Sequence, residues 1–119
     1  MSLLVDVFVT DETGERVVLD SPAGGLDLAG HERTRTLLWG SAAVRELGAR
    51  HLPVLATEDL WIEPGEIEGF LAECELVRAN IPAIAARTDR REDYIASRLD
   101  NIIGAARRAR ELGGGVVIW

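Results

Sequence analysis

Alternating apolar and polar positions predict strands near both ends of the chain. In the first ten residues Leu3, Val5, Val7 and Val9 alternate with Leu4, Asp6, Phe8 and Thr10. This period of two is typical of a β-strand with one buried face. Gly14 then permits a tight turn into a second strand over residues 15–19, so we expect an N-terminal β-hairpin. Residues 116–119 are all apolar and predict a final buried strand, and residues 60–62 predict a short extended segment.

Helical spacing dominates the second half of the chain. After Pro64, which fits the first position of a helix, apolar residues recur along one face: Ile67, Phe70, Leu71, Cys74, Val77 and Ile81. Pro82 is expected to end or kink this helix. Asp89 and Glu92 have the spacing of a variant capping box, which predicts the start of a longer helix that stops at Gly113.

Together these elements predict an α+β fold in two layers and a single domain over residues 1–119. A small, mainly antiparallel sheet, made of the N-terminal hairpin and the C-terminal strand, is covered by an antiparallel helical hairpin. Ser41 is a good N-cap for a short helix that runs through Leu47. The stretch 21–25, rich in Ser, Pro and Gly, predicts a loop, whereas residues 31–39 match neither helix nor strand.

The charge balance excludes several classes of protein. The formal net charge is −7, so we expect no cationic face of the kind that binds nucleic acid or an anionic membrane. No uninterrupted apolar run is long enough to cross a bilayer, and the start of the chain lacks a cationic leader. A cytoplasmic location is therefore expected. The single cysteine excludes an intramolecular disulfide.

Acidic residues are concentrated in one window, from Leu52 to Val77, which contains no cation: Glu58, Asp59, Glu63, Glu66, Glu68, Glu73 and Glu75. One interpretation is a solvated patch, or one paired with the arginines that follow. The other is a surface that binds a basic protein partner, with Glu58, Asp59, Glu63, Glu66, Glu73 and Glu75 as the candidate contacts. Glu73 and Glu75 lie beyond the first helical turn, so the helix dipole does not explain them.

A second group of candidates lies on the long helix. Arg98 falls inside its apolar stripe, and Tyr94 and Asn101 border it. Arg98 either extends its head to water from the edge of the core or joins Tyr94, Asn101 and His31 in a polar site that holds an anionic group. Cys74, within the apolar face of the first helix, is expected to be an inert core residue.

The sequence lacks the motifs that phosphate-binding loops, metal sites and nucleophilic catalysis require. Gly113 to Gly115 follow a helix instead of opening one, which argues against a phosphate-binding loop. His31 and His51 have no metal-ligand spacing, and no nucleophile stands beside a base. We therefore predict no catalytic residues, no metal and no cofactor, and we favour a protein that is not an enzyme.

The preferred hypothesis is a non-enzymatic acidic binding protein that masks a basic partner. In size and charge the chain resembles small immunity proteins that block toxic enzymes, although no motif carries this resemblance. Two alternatives stay open. One is a small ligand-binding protein or enzyme with the polar site around Tyr94, Arg98, Asn101 and His31. The other is a structural component that forms homo-oligomers.

Overall fold

The sheet is built around the first and the last strand of the chain. The computed structural model describes residues 1–21, 24 and 26–119. Five strands pair antiparallel in the order β2-β1-β5-β4, and β3 pairs with the start of β1. They are β1 (Ser2–Thr10), β2 (Arg16–Val18), β3 (Leu28–His31), β4 (Leu60–Ile62) and β5 (Gly115–Ile118). The predicted hairpin and final strand are confirmed, and Gly14 in the turn has a φ of 86°.

The strand β3 was not expected from the sequence. Leu19 still donates its N–H to the Val7 carbonyl at 2.8 Å, after which the chain leaves this edge of β1. It returns at Asp27, whose carbonyl accepts from the Val5 N–H at 2.7 Å. The strands β2 and β3 therefore share one edge of β1. Residues 22, 23 and 25 of the predicted loop at 21–25 lie outside the described part of the chain.

The ambiguous stretch after β3 forms a π-helical turn over Arg35–Trp39. Trp39 is fully buried, and its indole donates to the Ala29 carbonyl at 3.0 Å, which ties this turn to β3. Ser41 then caps a short helix α1 (Ala42–Arg45), as predicted, by accepting from the Val44 N–H. A 3-10 helix follows at Leu52–Ala56.

The predicted helical hairpin is present, with an additional helix inside it. A 3-10 turn at Pro64–Glu66 leads into α2 (Ile67–Ala79), and this helix ends at Asn80. Pro82 then occupies the first turn of a separate helix α3 (Ile81–Thr88), where its missing N–H leaves no bond unmade. The long helix is α4 (Glu92–Leu112). Helices α2 and α4 run antiparallel, as two ion pairs between them show: Arg78 with Asp100, and Arg110 with Glu68.

The connection between α3 and α4 corrects one expectation. Asp89 and Glu92 do not form a capping box, since Asp89 adopts the left-handed conformation with a φ of 55° and ends α3. Arg91 stands at the N-cap of α4, and its side chain makes no capping hydrogen bond within the part of the chain that the structure describes. The turn therefore places two arginines, Arg90 and Arg91, directly before the long helix.

One face of the sheet carries the helices and the core. Helix α4 packs across β1, β3 and β5, and α2 packs beside α4. The β1 residues that point into this core are Leu3, Val5 and Val7, which are the odd positions of the predicted alternation. The predicted two-layer α+β architecture is confirmed. Among the described helices, none combines the length and the apolar content needed to cross a bilayer.

Replacing Phe70 by alanine should lower the free energy of unfolding by about 3–5 kcal/mol. The ring is fully buried and meets the His51 imidazole edge-to-face at 5.8 Å between centroids. Leu76→Ala on the exposed side of the same helix is the matched control and should change stability by less than about 0.5 kcal/mol. Urea denaturation measures both, and equal losses would contradict this placement of the helix faces.

Two glycine-to-alanine changes should act in opposite directions. A methyl group at Gly115 would collide with the Ile62 carbonyl oxygen and the Phe8 ring, so Gly115→Ala should destabilise by at least about 1–3 kcal/mol. Gly69 lies in α2 with open space around it, and Gly69→Ala should stabilise by up to about 1 kcal/mol. Thermal unfolding of the two variants checks the pair, and a neutral Gly115→Ala would contradict the close strand packing.

Candidate functional site

The face of the sheet opposite the core carries an aromatic cluster. Phe8, Trp61 and Trp119 form a chain of edge-to-face contacts, with ring centroids 5.3 Å apart for the first pair and 5.7 Å for the second. The Arg16 guanidinium lies over this chain, 4.5 Å from the Trp61 ring and 5.6 Å from the Phe8 ring. We call Phe8, Arg16, Trp61 and Trp119 the aromatic cluster.

Strand register explains why these residues meet. Phe8 lies opposite Gly115, and Asp6 lies opposite Val117, which in turn lies opposite Trp61. Residues that pair across an antiparallel sheet share a face. Because Gly115 has no side chain, the Phe8 ring fills the space above it. Within the aromatic cluster Phe8 is therefore fully buried, whereas Trp61 is half-buried and Trp119 is 39% exposed.

Asp6 orients one edge of the aromatic cluster. Its buried carboxylate accepts a hydrogen bond from the Trp119 indole at 3.0 Å and another from the Ser21 hydroxyl. A buried carboxylate is stable only when such donors surround it. Trp119 is consequently held in one orientation, with part of its ring open to solvent.

Most of the acidic window is paired within the molecule. Asp59 meets Arg35 at 2.6 Å, Glu63 pairs with Arg16, and Glu75 lies between Arg78 and Arg107 at 3.7 and 3.9 Å. Glu66 accepts from the Glu63 backbone N–H at 3.1 Å. Most acidic residues of this window are therefore paired with arginines of the same chain, which agrees with the first of the two interpretations of the acidic window. Glu58 is exposed, and within the described ranges its side chain makes no ion pair.

The placement of Glu73 on the surface was wrong. Its side chain is buried and accepts from three successive backbone N–H groups, those of Arg50, His51 and Leu52, at 2.6–3.1 Å. These groups lie where the 3-10 helix at Leu52–Ala56 begins, and such N–H groups have no partner within the helix. Glu73 therefore closes a turn from a distant helix, and it is not accessible to a partner.

Acidic residues without an internal ion pair remain beside the aromatic cluster. Glu12 and Glu15 are exposed in and after the β1–β2 turn, and neither is ion-paired within the described ranges. Glu15, Arg16 and Glu63 line an open depression of about 570 Å³. In the same turn the Asp11 carboxylate accepts from Thr13 and Glu15, and these hydrogen bonds lower the pKa of Asp11. The rim of the cluster is therefore negatively charged.

The four residues proposed for a polar site do not share one cavity. The Arg98 guanidinium stacks on Tyr94, 4.7 Å from the ring centroid, and no described residue forms a hydrogen bond with its buried Nε. Asn101 donates to the Leu28 carbonyl at 2.9 Å and so joins α4 to β3. His31 and Tyr94 instead line a cleft of about 640 Å³, to which Arg98 and Asn101 do not contribute.

Cys74 lies in the core between α2 and its neighbours, as expected. Burial is the main cause that raises the pKa of its thiol, and the neighbouring Glu73 and Glu75 charges add to this. The thiol therefore stays protonated at neutral pH. Across the described residues, His, Cys, Asp and Glu nowhere gather in a group of three that could hold a metal ion.

Sequence reasoning missed the aromatic cluster. Its signal was present in the even positions of β1 and in Trp61 at the centre of a three-residue strand. The sequence does not show that these strands pair through β5, or that the described helices that contact β1 and β5 pack on the other face. Comparison with family models, curated proteins and solved structures finds no match for this chain. A function must therefore be inferred from its own residues.

Glu73→Ala should destabilise the protein by about 1–3 kcal/mol, because three backbone N–H groups at the start of a 3-10 helix lose their acceptor. Glu75→Ala, which removes only long, exposed ion pairs, should cost less than about 1 kcal/mol. Chemical denaturation distinguishes the two. Similar losses from both substitutions would show that Glu73 does not hold the turn.

Proposed function

We propose that this chain is a non-enzymatic binding protein that docks a basic protein on the aromatic cluster, on the sheet face opposite the core. The observation that supports this most directly is the aromatic cluster, surrounded by carboxylates. Tryptophan and arginine are enriched among the residues that dominate protein–protein binding energy. A desolvated centre with a charged rim is also the usual anatomy of such interfaces.

The energetic centre of the proposed interface is Trp61 with its neighbours Arg16 and Trp119. Their mutual contacts orient them before a partner arrives, so little side-chain entropy is lost on binding. The Trp119 indole is also bound to Asp6. This rigid arrangement resembles a preformed binding surface more than a core that happens to be exposed.

Charge selects the partner. Glu12, Glu15 and Glu58 provide negative charge without internal ion pairs, whereas Arg16 is the cation of the cluster and is already paired with Glu63. A basic surface would therefore be attracted and would associate faster at low salt. A second copy of this chain would bring the same negative rim, which disfavours self-association through this face.

The candidate acids chosen from the sequence have different parts in this proposal. Glu58, Asp59, Glu63 and Glu66 lie within five residues of Trp61 along the chain, on either side of β4, so they stay in the proposed interface. Glu75 lies on α2 among Arg78 and Arg107, away from the sheet, and is left out. Glu73 is left out because it is buried.

The test begins with capture of a basic protein by the immobilised chain from its native host at low salt. With the purified partner, Trp61→Ala should weaken binding roughly 30-fold, the effect of losing a residue worth about 2 kcal/mol. Glu12→Gln combined with Glu58→Gln should mainly slow association, and that difference should shrink at high salt. Surface plasmon resonance at two salt concentrations measures both effects.

Leu76→Ala, an exposed apolar substitution on the helical side, is the matched control and should bind like the wild type. Circular dichroism confirms that each variant is folded. A partner that binds Trp61→Ala as tightly as the wild type would contradict docking on this face. A mass in solution that doubles with concentration, and is restored to the monomer by Trp61→Ala, would instead support the homo-oligomer alternative.

A further inference from the structure

The cleft beside the start of the long helix has the opposite electrostatic character to the sheet face. It forms where the turn after β3 meets the link between α3 and α4, and its lining includes His31, Arg33, Arg90, Arg91 and Tyr94. We propose that this cleft binds the phosphate group of a small anionic ligand. This inference is independent of the proposed docking function and uses other residues.

Two arginines from separate segments supply the charge. Arg33 follows β3 and Arg90 precedes α4, and both line the cleft. Within the described ranges neither is engaged in an ion pair. By contrast Arg35, the next arginine after Arg33, forms ion pairs with Glu32 and Asp59. A guanidinium without a carboxylate partner keeps its planar set of donors for a bidentate contact with an oxyanion.

The acids that line the cleft do not cancel this charge. Glu32 is directed to Arg35, with its carboxylate 3.0 Å from the guanidinium. Arg91 is paired with Asp93 at 2.9 Å, so we do not count it as a ligand. Of the charged residues that line the cleft, this leaves Asp89 with one negative charge and Arg33 and Arg90 with two positive charges. The cleft therefore has an excess of positive charge.

The positive end of α4 is already met by carboxylates of its own first turn. Glu92 and Asp93 lie in that turn, and the Asp93 carboxylate interacts with the backbone N–H groups of Asp93 and Tyr94. The positive charge of the cleft therefore comes from its arginines and not from the helix end. Arg98, stacked on the Tyr94 ring, places a further cation behind this wall of the cleft.

The walls of the cleft are held in place by short-range contacts. The Thr34 hydroxyl accepts from the His31 backbone N–H at 3.0 Å and lies 3.3 Å from the Tyr94 hydroxyl. The same Thr34 side chain packs onto Gly30, where any side chain would collide with it. These contacts join the turn after β3 to α4, so the segments that carry Arg33 and Arg90 are held beside the same cleft.

An NMR titration with inorganic phosphate tests the proposal, since amide shifts report the location as well as the strength of binding. Shifts should concentrate at residues 31–34 and 89–94 of the wild type. The double variant Arg33→Met with Arg90→Met should bind phosphate at least roughly tenfold more weakly. Arg45→Met, an exposed arginine outside the cleft and without an ion pair in the described ranges, should bind like the wild type.

The ionic strength is matched with sodium chloride, because phosphate also stabilises proteins without binding a site. Acetate at the same concentration should bind more weakly than phosphate. Wild-type shifts that lie elsewhere, no saturable shift, or equal binding by the double variant would overturn the proposal. Equal binding of acetate would overturn the assignment to phosphate.

Discussion

The antiparallel pairing of β1 with β5 is the constraint on which the rest of the structure depends. These strands lie at the centre of the sheet although they come from opposite ends of the chain. Gly113, with a φ of 67°, ends α4, and the next two glycines let β5 approach its neighbours closely. The glycine run is therefore more than a helix stop. It sets the register that buries Val116 and Ile118 beneath α4 and brings Trp61 and Trp119 to the opposite face.

Ion pairs that span long stretches of sequence determine which charges remain available. Arginines outside the acidic window reach into it from β2, from the π-helical turn and from the far end of α4. Each such exposed pair contributes little stability by itself. Their combined effect is to neutralise much of the window, so the potential at the surface depends on the few acids left without partners.

Two surfaces of opposite sign result. The aromatic cluster, with its negatively charged rim, lies toward the end of β1, where Thr10 pairs with Arg16. The positively charged cleft lies at the start of β1, where Ser2 pairs with His31. Because attraction between exposed charges decays over about 10 Å at moderate salt, the potential at each surface depends on its nearby charges more than on the net charge of the chain.

The sequence by itself determined the elements whose signals are local. The alternation in β1, the Ser41 cap, the apolar stripes of α2 and α4 and the glycine stop all depend on neighbouring residues, and they sufficed for the two-layer α+β architecture. The strand β3 and the π-helical turn at Arg35–Trp39 show no such periodicity in the sequence. They are positioned instead by hydrogen bonds to other elements, from the Val5 N–H to the Asp27 carbonyl and from the Trp39 indole to the Ala29 carbonyl. The candidate sites depended on tertiary structure even more. Whether Glu73 is a surface charge or a buried acceptor, and whether Arg33 and Arg90 line one cleft, depends on which distant segments pack together. Spacing along one helix cannot contain that information.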